Sequence, residues 1–478
     1  MNYGIILYIL ASVLEFVGAF MLLPFLVGLI YGEPQSVAFL IVAAASLLLG
    51  FAGRLKKPKS TVFYAKEGFV TVSLSWILLS LVGAVPFVLT GEIPFYVDAV
   101  FETVSGFTTT GGTILSDVEV LARCTQFWRL FTHWLGGMGV LVLILAILPL
   151  SGSYNMHLMR AESTGPTVGK LVPRIKSSAR ILYGIYIGIT LIEILLLLCG
   201  GLSLYESSTL TFSTVGTGGF GLLNSSTAEY SRYVQTVLLI FMLLCGISFS
   251  IYYLFLARKP KEALQSEELR AYLGIIAGAA LLIGLNSREH FASLGESLYQ
   301  ALFQVVSVIT TTGFTTYDFN LWPVFSKTIL FLLMIVGACA GSTGGGLKVS
   351  RLVVLLKSIK SEVMQGIHPR SVKKLHMDGR ALSVNVMHSI RMYLVIYAAI
   401  YVISLLLVSV DNFSFETNAS AVMAMFNNIG PGFDMVGPTG NFAAFSVFSK
   451  VVLMFDMLAG RLELMPMLVV FSIKTWKK

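Results

Sequence analysis

Ten stretches of this chain are apolar for close to the length of a bilayer-spanning helix: 4–30, 36–53, 66–90, 126–150, 181–204, 231–256, 271–287, 323–358, 388–410 and 445–472. A hydrocarbon core of about 30 Å takes about 20 residues of α-helix, and it tolerates only segments whose backbone polar groups are bonded internally. The rest of the composition agrees, with 56% of the 478 residues apolar, 12% charged and a mean hydropathy of +0.82. The expected fold class is therefore an all-α polytopic membrane protein. The first run has no basic leader and no small-residue cleavage site, so it is expected to be a retained span rather than a signal peptide. Cys199, Cys245 and Cys339 fall inside apolar runs and Cys124 reads as exposed; no CxxC or Cys/His spacing suggests a disulfide or zinc site.

Basic residues give the expected orientation. Of the 33 Lys and Arg, 25 lie in alternate connections: four in 54–60, five in 151–180, four in 257–270, nine in 348–391 and three in 474–478. By the positive-inside rule these segments are cytoplasmic, with the N- and C-termini on the same side. That asymmetry and anionic headgroups account for the net charge of +8 without nucleic acid, and docking of a cytosolic partner is the other use open to so many cations.

The connections on the opposite side, between 90 and 126, 204 and 231, 287 and 323, and 410 and 445, each hold a helix-like stretch too short to span, followed by a small-residue turn. Aligned on an apolar residue four places before a glycine, they read Phe107-TTT-Gly111, Phe212-STV-Gly216, Ile309-TTT-Gly313 and Phe426-NNI-Gly430. The glycines are 105, 97 and 117 residues apart. Four units of helix, re-entrant loop and helix are expected around a pseudo-fourfold pore, after an extra N-terminal pair. The expected boundaries are 1–54 for the pair and 60–150, 175–257, 268–360 and 385–473 for repeats 1 to 4.

Irregular backbone at membrane depth is tolerated only where it lines a watery path or is buried in protein. Four such loops around one axis would aim carbonyl oxygens at a common line, as an ion filter does. Glycine adopts the unusual φ angles this demands, and threonine hydroxyls add uncharged oxygens. No acidic ring appears in the loops, which favours a monovalent cation over calcium. The expected filter residues are each glycine and the residue before it: Thr110 and Gly111, Val215 and Gly216, Thr312 and Gly313, Ile429 and Gly430. The plainer alternative is that small residues here only ease helix packing.

These loops, with "KEGF" at 66–69, "THWLGGMG" at 132–139, "FNNIGPG" at 426–432 and "GRLE" at 460–463, resemble the Trk/Ktr/HKT superfamily of potassium transporters. The extra N-terminal pair is most similar to its TrkH branch. The resemblance implies a homodimer with one pore per protomer in a bacterial inner membrane. It also implies inward movement of potassium and control by a cytosolic, nucleotide-binding subunit of the TrkA type. Glycine rather than serine at 111 favours potassium over sodium by the same resemblance. In the second loop Gly218 and Gly219 compete with Gly216, and in the fourth Gly432 competes with Gly430.

Two further features resemble gating parts. The run from Trp322 to Lys357 is longer than one span needs, and its middle, "GACAGSTGGGLK" at 337–348, is too rich in small residues to stay helical. In the resembling family this break is an intramembrane loop beneath the filter, which assigns Gly341, Ser342, Thr343, Gly344, Gly345 and Gly346 to a gate. A packing kink is the alternative, and a P-loop is excluded because leucine separates Gly346 from Lys348. Arg461 lies mid-span, where a charge costs about 2.5–3.5 kcal/mol and faces a cavity or a partner. Either it faces the 337–348 segment near the permeation path, as the resemblance implies, or it forms a salt bridge to another helix. Asp456 and Glu463 are wrongly spaced to share its helix face, and His133, Glu15 and Glu193 are expected to be packing or interfacial groups.

An enzyme would need paired carboxylates, a metal-ligand motif or a nucleophile with its base at membrane depth, and the sequence offers none of these. No organic cofactor is expected; potassium is the expected substrate. The competing transport class is a sodium- or proton-coupled symporter, for which inverted repeats and titratable midplane groups would be the marks.

Overall fold

The computed structural model describes residues 1–56, 58, 64–139, 175–368 and 374–476, with side chains from residue 179 onward in the helix that starts at Ile175. The distal part of the expected 126–150 helix and the basic connection after it lie outside the described residues.

Helices Tyr3–Tyr31 and Ser36–Leu55 form a tight antiparallel pair, turned by Gly32 in the left-handed conformation at φ 70°. Small residues let the two backbones meet. A Cβ on Gly18 would stand 2.9 Å from the Ala43 oxygen, and one on Gly50 would stand 2.7 Å from the Ala11 oxygen. Glu15 pairs with Arg54 across this pair.

Behind it the chain runs four times through an outer helix, a short pore helix and an inner helix. The first unit is Ala65–Leu89, Tyr96–Phe107 and Arg123–Gly137. The second is Ile175–Cys199, Leu204–Gly216 and Arg232–Cys245, resumed by Phe249–Leu256. The third is Glu267–Asn286, Leu294–Ile309 and Val324–Ile335, resumed by Val349–Ile367. The fourth is Val384–Val408, Phe415–Phe426 and Val447–Arg461, resumed by Met465–Phe471. Serines set many of the starts: the hydroxyls of Ser203, Ser293, Ser414 and Ser446 each accept the third N–H of the helix they open.

Among the described residues only six helices have the length and hydropathy to cross a membrane unbroken, against ten expected spans. The difference lies in the inner helices. The second bends by 89° between Cys245 and Phe249. The third loses its helix from 336 to 348, as its small residues require. The fourth is broken by Glu463 and Leu464, at φ 56° and 67°, with Pro466 restarting it. In the first unit the helix ends at Gly137, and Gly139 is left-handed at φ 79°.

Two apolar cores hold the bundle, one joining the N-terminal pair to units 1 and 4 and to part of unit 2, the other joining units 2 and 3 with Met423, Ile429 and Phe433 of unit 4. Two cysteines sit differently from expectation: Cys124 is fully buried, its N–H bonded to Glu33, while Cys199 at the end of its outer helix is exposed.

The pair's close approach sets a test. Gly50→Leu forces its side chain into the Ala11 backbone and should destabilise the fold by roughly 1–3 kcal/mol, the usual effect of overpacking. Gly184→Leu, at a position with nothing within 4 Å, should leave the melting temperature of the purified protein unchanged.

Candidate ion-conduction site

Each pore helix ends against an irregular strand with the same backbone signature. A left-handed residue is followed two places later by a left-handed glycine: Thr109 and Gly111, Thr217 and Gly219, Thr311 and Gly313, Asn428 and Gly430, with glycine φ between 81° and 97°. The four strands close on one another in order. A Cβ on Gly111 would stand 2.0 Å from the Gly218 oxygen, and one on Gly219 would stand 1.8 Å from the Thr312 oxygen. The same atom on Gly313 would stand 2.1 Å from the Ile429 oxygen, and on Gly430 2.8 Å from the Thr110 oxygen. No side chain fits at any of the four places, so glycine is required by the neighbour's carbonyl as well as by φ. The C-terminal, negative ends of four pore helices lead directly into this ring, which favours a cation there.

Threonine and asparagine hold the strands in shape. The Thr108 and Thr110 hydroxyls are 2.7 Å apart, those of Thr310 and Thr312 2.8 Å, and Asn428 donates to the Thr110 hydroxyl at 2.9 Å, tying strand 4 to strand 1. His133, fully buried, contacts the Gly106 oxygen through Nδ1 at 2.7 Å and accepts the Phe220 N–H on Nε2 at 3.3 Å. A carbonyl only accepts and an amide N–H only donates, so the proton is on Nδ1. The ring also fills the place of a side chain on Gly218, whose Cβ would lie 2.1 Å from it.

Just beyond the glycines, Arg129 donates to Glu102 at 2.6 Å and to the Gly221 oxygen at 3.2 Å, and stacks 3.6 Å over Phe220. Glu102 also accepts from the Thr113 hydroxyl and the Ile114 N–H, at 2.9 and 3.0 Å. The buried pair thus fixes the exits of strands 1 and 2. All four ring glycines line one cavity of about 120 Å³ on this side, together with Thr113 and Arg129.

On the other side lies the 336–348 segment. It is seated against the ring: Gly345 donates to the Thr311 hydroxyl at 2.7 Å, and a Cβ on Gly344 or Gly345 would stand 2.9 Å from the Thr310 oxygen or 2.6 Å from the Asn427 oxygen. Its carbonyls are met by cations. Lys348, 1% exposed, donates to the Gly344 and Gly345 oxygens, the latter at 3.0 Å. Arg461 donates to the Thr343 oxygen at 2.7 Å and to the Gly136 and Gly137 oxygens at 2.6 and 2.7 Å. The Thr343 hydroxyl in turn donates to the Cys245 oxygen at 3.2 Å. All four inner-helix breaks therefore meet, with orphan carbonyls of three helix ends or loops satisfied by groups of the others.

The structure brings Thr110, Gly111, Thr312, Gly313, Ile429 and Gly430 together in the ring, and Gly341, Ser342, Thr343, Gly344, Gly345 and Gly346 below it with Arg461. Val215 and Gly216 are elsewhere: they close the second pore helix, and their expected places are held by Gly218 and Gly219. Gly432 packs on Ser420, outside the ring. Glu463 pairs with Arg351, and Asp456 accepts from Ser404 at 2.6 Å. Sequence reasoning assigned no role to Lys348 or the Glu102–Arg129 pair, and read His133 only as a packing or interfacial group. The available signal was a charge or imidazole within an apolar or pore-helix segment, which says that a partner exists without saying which.

Comparison with known proteins follows the same geometry. The TrkH family profile, described as a cation transport protein, matches residues 35–283 and 288–477. The Trk system potassium uptake protein TrkH of Salmonella typhimurium is 35% identical over 471 residues, covering 96% of each chain, and that of Escherichia coli K12 is 34% identical over the same length. The crystal structure of the potassium transporter TrkH from Vibrio parahaemolyticus superposes with a TM-score of 0.89 at 30% identity over 100% of both chains.

The buried pair sets the second test. Glu102→Gln keeps an acceptor for Thr113 and Ile114 but leaves the Arg129 guanidinium uncompensated, which should lower stability by about 3–5 kcal/mol. Thermal melting of the purified variant reads it, and a loss below about 1 kcal/mol would count against the pair as the fixing element.

Proposed function

From the premise that the chain belongs to the TrkH family of cation transport proteins, we propose that it carries potassium into the cell through the ring of four strands. As a family of transporters this is no enzyme class, and the six long apolar helices make it a membrane protein. The observation that carries the proposal is the closed order of glycine against carbonyl, strand 1 to 2 to 3 to 4 to 1. A potassium ion leaving water needs oxygens already in position, and backbone carbonyls fixed by the pore helices, by His133 and by Asn428 supply them without reorganisation. The filter residues in this reading are Thr110, Gly111, Gly218, Gly219, Thr312, Gly313, Ile429 and Gly430.

The 336–348 segment is the gate. It lies against the lower face of the ring, and Arg461 and Lys348 hold its carbonyls there. Each of these charges repels a potassium ion at about 8 Å by about 2 kcal/mol at an effective dielectric of about 20. Opening therefore requires the segment and its cations to leave the axis together.

The division into a pair at 1–54 and repeats at 60–150, 175–257, 268–360 and 385–473 is supported by the outer, pore and inner helices found in those intervals. The placement in a bacterial inner membrane with cytoplasmic termini rests on the basic connections, and the homodimer and a TrkA-type, nucleotide-binding subunit rest on the named relatives being parts of Trk systems.

Potassium and sodium reversal potentials of the reconstituted protein test the filter. Wild type should select potassium, and Gly219→Ala, whose methyl would overlap the Thr312 oxygen, should lose that selectivity. Val215→Ala should lose only packing, roughly 1–3 kcal/mol of stability, with selectivity kept. The reverse pattern would return the register to Gly216. Flux with no gradient other than potassium separates this pore from a sodium- or proton-coupled symporter, which would stand still.

The gate has its own test. Deleting 340–345 should raise basal potassium flux while leaving selectivity intact, and Arg461→Gln should be leakier than Arg461→Lys, which keeps the charge but loses the planar fork that reaches several carbonyls. Wild-type flux in a well-folded Arg461→Gln protein would remove the arginine from gating.

A further inference from the structure

One carboxylate outside the filter touches both the irregular segment of the third inner helix and the helix that resumes after it. Glu268 stands in the first turn of the outer helix Glu267–Asn286. Its Oε1 accepts the Ala340 N–H at 2.7 Å and the Ser350 N–H at 2.9 Å. These two amides are ten residues apart and flank the part of the segment that carries Gly341 to Gly346 and Lys348. Ser350 lies in the first turn of the resumed helix, where an N–H has no intrahelical acceptor, and Ala340 lies in the irregular backbone. A single oxygen therefore closes the excursion at its neck.

The turn that carries this carboxylate is itself held in place. The N–H of Glu267 donates to Asp378 at 2.7 Å, and the Ser266 hydroxyl caps the same turn. Lys357, on the resumed helix, pairs with Glu267 and donates to the His376 oxygen at 2.8 Å. The first turn of the outer helix and the resumed inner helix are thus bolted together by the hairpin His376–Met377 and Arg380–Ala381, and Glu268 reaches from that fixed frame to the segment above.

We propose that Glu268 is a positioning residue that latches the gate: its carboxylate holds the neck of the 336–348 segment shut, and the two amides must leave it before the segment can swing from the axis. This rests on the reading of that segment as the gate. The physical reason is directional. Arg461 and Lys348 satisfy carbonyls, and so draw the segment toward the cations; Glu268 satisfies N–H groups on either side of residues 341–349, one inside the segment and one in the resumed helix, and so fixes where that excursion begins and stops. Loss of the negative charge weakens both neck bonds at once, whereas loss of a cation loosens the segment's carbonyls and leaves the two neck bonds as the remaining hold.

The test compares Glu268→Gln and Glu268→Asp with wild type and with Glu267→Gln, which alters the frame pair but not the latch. Potassium flux per folded protein in liposomes is measured beside the rate at which a maleimide pulse modifies Cys339, followed by mass spectrometry of its peptide. Cys339 adjoins Ala340 and is fully buried, its N–H bonded to the Gly246 oxygen at 3.0 Å, so it reports release of the segment. Both Glu268 variants should raise flux and Cys339 modification, on the order of tenfold for Gln given two weakened charge-assisted bonds, with the reversal potential unchanged. Modification of Cys124, buried far away in the first inner helix, should not change. Wild-type flux and wild-type Cys339 modification in folded Glu268→Gln would overturn the latch while leaving the gate, provided that the 340–345 deletion leaks. Faster modification with wild-type flux would overturn the gate and the latch with it. Failure of both variants to fold would assign Glu268 to stability alone and overturn the proposal equally.

Discussion

Carbonyls freed by breaking a helix inside a membrane can be satisfied only by other parts of the protein, and that constraint organises the centre of this molecule. Four inner helices stop at one level, and each leaves acceptors there. Arg461 answers two of the breaks directly, taking the Gly136 and Gly137 oxygens of the first and the Thr343 oxygen of the third, and the Thr343 hydroxyl reaches the second through the Cys245 oxygen. The planar guanidinium is suited to this, since its five donors point in fixed directions to acceptors on different chain segments. The carbonyl-rich floor rests on buried cations, and under the proposed function the same charges would face an entering ion.

How much of this the sequence carries depends on the range of the interaction. The membrane class and the outer helices follow from composition within single segments, and the break at 336–348 follows from a local run of small residues. The other breaks are less plain: Gly246 to Ser248 looks like ordinary membrane-helix sequence, and Leu462 to Leu464 carries one charge, Glu463, that signals a partner without naming it. At the second break the Cys245 oxygen is taken by the Thr343 hydroxyl, and at the fourth Glu463 and Leu464 turn left-handed while Glu463 pairs with Arg351. Glu102 and Arg129, 27 residues apart, and His133 with Phe220, 87 apart, are tertiary facts of the same kind. Cys124 reads as exposed from its polar neighbours, yet the N-terminal pair covers it through Glu33, which lies 91 residues away.

The second strand of the ring shows the limit of pattern matching in detail. The rule of an apolar residue four places before a glycine has two solutions there, Phe212 with Gly216 and Val215 with Gly219. The aromatic choice matches Phe107 and Phe426 in type. The structure takes the other, because Val215 fills the buried place before the turn and Thr217 adopts the left-handed conformation two residues ahead of Gly219. Backbone conformation, and not side-chain type, is what the four strands share. The fourth strand makes the same point with Asn428 and Ile429 where the first has Thr109 and Thr110.

Because the four strands belong to one polypeptide, their ring is not bound to be symmetric. The carbonyl facing each glycine comes from a different residue in each quadrant, from Gly218, Thr312, Ile429 and Thr110 in turn. In an assembly of four identical chains, any change at such a place is made four times over, and the energetic effect is multiplied accordingly. Here a substitution alters one quadrant and leaves three standing. Under the proposed function the coordination shell can thus be changed in quarter steps, one strand at a time, and the unlike second and fourth strands show that the four quadrants need not share a sequence.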